Sequence, residues 1–223
     1  MNAVKRVTAG GILLLLPMTA SLSAHRLDEY LQAARLSLAR DQITLELDVT
    51  PGANIAGRAV ALVDRNADGR ISPLEAEAYG RLVVGGIHLD VDGRDVPLAL
   101  SHVEAPSIPE MNDGLGSVRM VAVGSLREPV SAGHHQVYFR NDHRPESAAY
   151  LVNALVPANR EIAIVGQRRD GQQREIRIDY IVRPGWPVRV AWIVLGLSGL
   201  LGLVLVRRVT PARPRARQAH ARL

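Results

Sequence analysis

Short segments in which every second residue is apolar dominate the chain between residues 42 and 182. Residues 42–50 read QITLELDVT, so a strand there would place four apolar side chains on one face. Further segments of this kind are residues 87–100, 117–123, 136–140, 149–156 and 161–182. Asp92-Gly93 predicts a hairpin turn within residues 87–100. The pattern predicts a mainly β fold, an antiparallel β-sandwich with a helix-loop-helix inserted after the second strand.

An apolar run near the amino terminus predicts export. Residues 10–18 read GGILLLLPM, follow Lys5 and Arg6, and precede small and polar residues. This is the layout of a secretory signal peptide, which we assign to residues 1–24. Cleavage after Ser23 and cleavage after Ala24 both fit the pattern, so the mature chain would begin at Ala24 or at His25.

A second apolar run predicts a membrane anchor. Residues 190–206 contain no charge and would span about 26 Å as a helix, which is just long enough to cross a bilayer. Residues 183–189 form the juxtamembrane segment, and residues 207–223 form a basic, disordered tail. The tail carries six arginines, which places it in the cytoplasm by the positive-inside rule. Residues 25–182 would then be a periplasmic or extracellular domain on the bacterial inner membrane.

The net charge of +5 conceals the character of this domain. Residues 183–223 carry eight arginines and no acidic residue, whereas residues 25–182 hold all 22 acidic residues against 17 basic ones. A domain with a net charge of −5 lacks the basic face that nucleic-acid binding usually needs, so we predict no nucleic-acid partner. The chain has no cysteine, which excludes disulfides and thiol chemistry.

One twelve-residue segment carries metal-ligand chemistry. Residues 64–75 read DRNADGRISPLE and satisfy the pattern D-x-[DN]-x-[DN]-G-x5-E at every specified position. A hard cation takes six to eight oxygens, and alternate side chains of a tight loop converge on one point. The segment resembles the EF-hand calcium loop, and the insert would cover about residues 55–85. The resemblance implies one Ca²⁺ held by oxygens of Asp64, Asn66, Asp68, Arg70 (its carbonyl), Ser72 and Glu75.

The flanks of the loop predict two helices. Ile55, Ala59, Leu62 and Val63 fall at helical spacing before the loop, and Leu74, Ala78 and Leu82, with Tyr79, do so after it. Ser72-Pro73-Leu74-Glu75 is also a helix start, with Ser72 as the cap and Glu75 placed for a capping box. An Asp-Gly turn before a capped helix, without calcium, is therefore the alternative interpretation. It leaves Asp64 and Asn66 unexplained.

The loop has no second copy in the chain. EF-hands usually pair through the apolar residue that Ile71 represents, so Ile71 would either pack on the domain's own sheet or meet a second copy of the protein. Arg65 and Arg70 reduce the net negative charge that three carboxylates give the loop. This predicts a weak site with a Kd on the order of 10⁻⁴ to 10⁻³ M. The unpaired loop favours a structural ion over a regulatory one, in a domain that serves protein interaction as a homodimer or with a membrane-protein partner.

Histidine provides an alternative metal site. If cleavage follows Ala24, His25 presents its amine and ring together, which resembles the copper-binding amino terminus of periplasmic copper carriers and oxidative polysaccharide-cleaving enzymes. His134 and His135 are adjacent on a predicted strand and face opposite sides, so they cannot both bind one ion. His135 shares its face with Val137 and Phe139, which predicts core packing. His134 and His143 remain as further copper ligands, and the function would be that of a carrier or a redox enzyme.

No nucleophile, phosphate loop or zinc-protease motif occurs in the chain, so the leading prediction is non-enzymatic. A further resemblance rests on AHRLDEYLQAARLSL at residues 24–38, LELDVTPG at 45–52 and YFRNDHRPESAAYLVNALVP at 138–157. These segments are similar to the extracytoplasmic part of HupE/UreJ-type bacterial membrane proteins, which are associated with metal uptake. The resemblance implies an accessory subunit of a metal transporter as another alternative. Those proteins have several membrane helices, so transport itself is not implied.

Overall fold

The computed structural model describes residues 27–184, which fold into ten strands and three helices. The strands are β1 (Tyr30–Leu38), β2 (Gln42–Pro51), β3 (Ile87–Val91), β4 (Arg94–Asp95), β5 (Leu98–Glu104), β6 (Val118–Ser125), β7 (Gly133–Asn141), β8 (Ala148–Ala154), β9 (Ile162–Arg169) and β10 (Glu175–Val182). The helices are α1 (Ala56–Val63), α2 (Pro73–Val84) and α3 (Ile108–Asn112), and a short 3₁₀ turn precedes α1 at Ala53–Ile55.

The strands form two five-stranded sheets around a single hydrophobic core. The first sheet has the order β5-β6-β2-β1-β8 and the second has the order β4-β3-β7-β10-β9. Alternate residues of each central strand are buried, such as Leu45 and Leu47 of β2 and Ile176 and Ile178 of β10. The prediction of a mainly β fold is confirmed, as is the position of the helix-loop-helix after the second strand.

The sandwich is not wholly antiparallel, because β8 runs parallel to β1 at the edge of the first sheet. A buried hydrogen-bond network fixes this arrangement. Gln32 of β1 donates from Nε2 to the carbonyl of His143 at 2.8 Å, and Asn141 donates from Nδ2 to Oε1 of Gln32 at 2.8 Å. The segment between β7 and β8 is thereby held against β1. Such long-range contacts leave no periodic signal in the sequence.

The hairpin predicted over residues 87–100 is shorter in the structure. Asp92 and Gly93 make the turn with φ of 54° and 76°, as the Asp-Gly pair predicts. The second arm, however, ends at Asp95, and β5 pairs with β6 in the other sheet. Pro97 lies between the two short strands and lacks the N–H needed to continue a ladder, so the chain crosses between the sheets there.

Helix α2 packs on β5 with a different face from the one that the sequence predicted. Its buried residues are Ala76, Tyr79, Gly80, Val83 and Val84. Tyr79 is therefore in the core, but Leu74 and Leu82 are 75% and 55% exposed. A Cβ at Gly80 would lie 2.9 Å from Leu100 Cδ2, so the missing side chain lets the helix approach β5 closely.

Besides His25, four sequence predictions fall outside residues 27–184. These are the signal peptide, most of the juxtamembrane segment, the apolar run at 190–206 and the basic tail. Within residues 27–184, no helix is long and apolar enough to cross a membrane.

Candidate metal centre

The two helices of the insert are joined by a loop whose ends are both well defined. Helix α1 ends at Val63, and Asp64 follows as its C-terminal cap. Ser72 caps the start of α2 and forms a complete capping box with Glu75, with Pro73 at the first helical position. The residues predicted to bind calcium therefore begin at the end of one helix and finish in the first turn of the next.

Asp64 is the buried anchor of the loop. Its side chain lies at the foot of α1, where the residue is only 6% exposed. Oδ1 accepts a hydrogen bond from the backbone N–H of Asp68 at 3.2 Å, and Oδ2 accepts one from Gly69 at 3.0 Å. A buried carboxylate needs such partners, because loss of hydration disfavours the charged group. Asp64 thus organises the turn that follows it.

Asn66 and Asp68 form an exposed polar pair above this turn. Asn66 accepts from the backbone N–H of Asp68 through Oδ1 at 3.0 Å and donates from Nδ2 to Asp68 Oδ2 at 2.9 Å. Asp68 Oδ1 accepts from the backbone N–H of Arg70 at 2.9 Å. Each of these side chains bonds to backbone groups further along the loop, which is the local pattern typical of Asx turns.

Glu75 links the end of the loop to its beginning. Oε1 accepts hydrogen bonds from the backbone N–H groups of Arg65 at 2.9 Å and Asn66 at 3.3 Å. Oε2 accepts from the backbone N–H and the hydroxyl of Ser72, at 3.0 Å and 2.7 Å. The bonds from Ser72, backbone first, lower the pKa of Glu75 from 4.5 to about 2, so the carboxylate is charged at neutral pH.

The backbone of the loop bends at two positions. Gly69 has φ of 81°, in the left-handed region, and a Cβ there would have open space around it. The sequence predicted this reversal at Gly69. Ala67 also adopts a positive φ, of 55°, which the residue type did not indicate because alanine rarely takes this conformation. The hydrogen bonds of the flanking Asn66 and Asp68 side chains compensate for that strain.

Arg70 and Ser72 complete the predicted ligand set. Arg70 is exposed, and its side chain makes no ion pair with Asp64, Asp68 or Glu75. Within the described chain, no arginine or lysine lies within ion-pair distance of these three carboxylates. The hydroxyl of Ser72 is engaged in the capping box, where it both donates to Glu75 and accepts from its backbone N–H.

The carboxylates of Asp64, Asp68 and Glu75 do not converge on one point in the described structure. In residues 27–184, no group of three or more histidine, aspartate or glutamate side chains is arranged so that it could hold a metal ion. The two oxygens of Glu75 are directed to N–H groups of the loop and to Ser72. The residues supply the oxygen types that calcium prefers, but Glu75 would have to exchange these partners to join the others.

Ile71 packs on its own domain. It is half-buried and lies against the hydrophobic core together with Ile55, Val60 and Leu62 of the helix pair. Of the two expectations for Ile71, the structure favours packing within the domain over contact with a second copy.

The histidines considered for copper do not converge. His134 is exposed near the start of β7, whereas His143 lies beyond its end, so at about 3.3 Å per residue more than about 20 Å separates them. One ion cannot bind both. His25 lies outside the described residues. His135 is mostly buried, as predicted, and its ring nitrogens contact Asp92 Oδ2 at 2.6 Å and the Ser131 carbonyl at 2.9 Å.

His143 is a buried histidine beneath α2. It is 8% exposed, its Nε2 has no hydrogen-bond partner in the described structure, and its ring meets Tyr79 edge-on at 6.2 Å. Burial, together with the positive charge of Arg144, lowers the pKa of His143 from 6.5 to about 4. The ring is therefore neutral at neutral pH and belongs to the contact between the helix pair and the sheets.

Comparison with known proteins does not assign this chain to a family. No protein-family model matches the chain, and no curated protein is significantly similar to it. The class to which this structure belongs is therefore defined by its own features, a β-sandwich that carries a helix-loop-helix with a twelve-residue acidic loop.

Proposed function

We propose that the loop between α1 and α2 binds one Ca²⁺ through oxygens of Asp64, Asn66, Asp68, Arg70, Ser72 and Glu75. The ion is structural and fixes the helix pair on the sandwich. The domain is non-enzymatic and serves protein interaction. It lies outside the cytoplasm of a bacterium, anchored in the inner membrane by the single span at residues 190–206.

The observation that carries the proposal is a set of three carboxylates in one loop with no cationic partner among residues 27–184. Within this part of the chain, Asp64, Asp68 and Glu75 accept only hydrogen bonds from N–H and O–H groups. Like charges in one loop repel each other, and a divalent cation removes that repulsion. The side chains in between, Asn66 and Ser72, are also oxygen donors, which suits a hard cation.

Calcium binding on this proposal changes the partners of Glu75. The carboxylate leaves the N–H groups of Arg65 and Asn66 and turns to the ion. Asp64 keeps its bonds to Asp68 and Gly69, because each of its oxygens has a second lone pair for the ion. The site is weak, with a Kd on the order of 10⁻⁴ to 10⁻³ M, because the hydrogen bonds of Glu75 must first be broken.

The packing of the helices supports a structural ion. Ile71 lies on the domain's own core, and α2 is held on β5 through the close approach at Gly80. The insert is therefore already docked on the sandwich, and an ion in the loop would stabilise this docking without opening a new surface.

Thermal unfolding of the purified full-length chain tests the proposal. We expect millimolar calcium to raise the melting temperature, and Glu75→Gln to abolish this rise. Glu110→Gln is the matched control, since Glu110 forms the same capping box with Ser107 in α3 but lies outside the loop. Glu110→Gln should retain the calcium response. No response of the unmodified chain to millimolar calcium, or equal loss in both variants, rejects the proposal.

The location is tested separately. Protease added to intact spheroplasts should digest residues 27–184 and leave a protected fragment that contains the tail. Digestion of the tail without disruption of the membrane, or protection of the domain, contradicts the proposed orientation while leaving calcium binding untouched.

A further inference from the structure

Helix α2 has two apolar faces, and only one of them is covered in the described structure. Ala76, Tyr79, Gly80 and Val83 are buried against the sandwich. On the opposite side, Leu74, Ala78 and Leu82 lie four residues apart and therefore form one line along the helix. Leu74 and Leu82 are 75% and 55% exposed. Single exposed leucines are ordinary, but three apolar residues in one line present a surface to which another helix could pack.

We propose that this line, Leu74-Ala78-Leu82, is the contact through which two copies of the chain pair, with their α2 helices antiparallel. The proposal does not depend on calcium binding. It moves the dimer contact from Ile71, which the structure places against the domain's own core, to the opposite side of α2.

The line Leu74-Ala78-Leu82 matches a second copy of itself when the two helices run in opposite directions. With Ala78 at the two-fold axis, Leu74 of each copy packs beside Leu82 of the second copy. The small Ala78 side chain at the centre permits close approach of the two helices, whose axes normally lie about 8 to 10 Å apart. A two-fold contact requires a surface that matches its own copy, which favours a second copy over an unrelated partner.

The charges beside the line have the same symmetry. Glu77 and Arg81 lie on one flank of α2, one turn apart, and form an ion pair within the helix. Two-fold rotation about Ala78 places Glu77 of each copy close to Arg81 of the second copy. The two ion pairs then become a four-residue network of alternating sign. In a parallel two-fold pair the two flanks would lie on opposite sides of the contact, so Glu77 and Arg81 of the two copies would not meet, and the additional ion pairs form only in the antiparallel arrangement.

The contact is small. Helix α2 has 12 residues and is about 18 Å long, so the pair buries less than the roughly 1,000 Å² expected of a stable dimer. We therefore expect a weak, reversible dimer, and a covalent trap is the appropriate way to detect it.

The natural absence of cysteine makes such a trap specific. In the full-length chain, Ala78→Cys introduces a single thiol at the two-fold axis, and mild oxidation should give a disulfide-linked dimer. Ala61→Cys is the matched control, because Ala61 is an exposed alanine on α1, away from the line. It should remain monomeric under the same conditions. Mixing Leu74→Cys with Leu82→Cys chains should give the linked dimer, whereas each alone should give little.

Charge reversal supplies a second readout. In the Ala78→Cys chain, Glu77→Arg should abolish crosslinking, and adding Arg81→Glu should restore it, because the double change exchanges the two signs. Both side chains are on the solvent side of the helix, and unchanged thermal unfolding verifies that the fold is intact. Equal crosslinking of Ala61→Cys, no crosslinking of Ala78→Cys, or a link from Ala78→Cys only to a different protein overturns the proposal.

Discussion

The carboxylate of Glu75 accepts a hydrogen bond from the backbone N–H of Arg65, which lies 2.9 Å away and ten residues earlier in the chain. This bond closes the loop between α1 and α2 before any ion is present. A loop that is already closed loses less conformational entropy on binding than an open one. The same bond also competes with the ion for Glu75, so it both prepares the proposed calcium site and weakens it.

The capping box at the start of α2 should contribute measurably to stability. Ser72→Ala removes the side-chain acceptor of the Glu75 N–H and one donor to the Glu75 carboxylate. We expect a loss of about 1 kcal/mol in the free energy of unfolding, measured by urea denaturation without calcium. Ser107→Ala removes the equivalent cap of α3, a helix of only five residues, and should cost less. A larger loss for Ser107→Ala contradicts this ranking.

Acid should weaken the loop through Glu75. The hydrogen bonds from Ser72 lower the pKa of Glu75 from 4.5 to about 2 in the folded chain. A lowered carboxyl pKa contributes stability that is complete above the unfolded value and is lost as the pH falls from about 4.5 through about 2. Melting temperatures of the calcium-free chain across this range should fall more steeply than those of Glu75→Gln. Parallel curves for the two proteins count against this role.

Two glycines of the insert should respond oppositely to the same substitution. Gly69→Ala places a Cβ at φ of 81°, which costs about 1 to 2 kcal/mol although there is space for it. Gly57→Ala in α1 also meets open space but has ordinary helical geometry, so it should stabilise the chain by about 0.5 to 1 kcal/mol. Urea denaturation of both variants measures the difference, and a shift of the same sign in both disagrees with the backbone assigned to Gly69.

His143 should make the domain sensitive to mild acid. Burial lowers its pKa from 6.5 to about 4, so the unfolded chain binds a proton more readily than the folded one between these values. Stability is then complete above about pH 6.5 and is lost as the pH falls toward about 4. Over this range the free energy of unfolding of His143→Leu should fall less steeply with falling pH than that of the unmodified chain. The difference in slope should correspond to at most about one proton taken up on unfolding. The absolute stability of that variant is not the readout, since its packing also changes.

Much of the fold was predictable from local pattern. Alternating apolar residues predicted the strands from β2 onward, and the Asp92-Gly93 pair predicted the turn between β3 and β4. Strand β1 was not predicted, because the polar Gln32 occupies one of its buried positions. The sequence Ser72-Pro73-Leu74-Glu75 predicted the start of α2, because a capping box involves only residues within one turn. Within the loop, the hydrogen bonds of Asp64, Asn66 and Asp68 also join near neighbours, so their arrangement follows from spacing.

The contacts between distant segments were not predictable in this way. The sequence selected Leu74, Ala78 and Leu82 as the packing face of α2, but the small residues Ala76 and Gly80 let the opposite face approach β5. The parallel pairing of β8 with β1 depends on Gln32, whose amide holds a loop more than 100 residues later in the chain. Neither relationship leaves a periodic signal, because each partner lies elsewhere in the sequence.

The order of residues in this chain was thus enough to indicate most of its strands, its helix pair and the turn of the loop between the helices, since spacing along the backbone places neighbouring groups in fixed relation. Packing decided which side of α2 is buried, which sheet receives β5, and that β8 runs parallel to β1. These outcomes follow from how side chains of distant segments fit together in one core. The same packing left Leu74, Ala78 and Leu82 on the surface, where the proposed second copy would meet them.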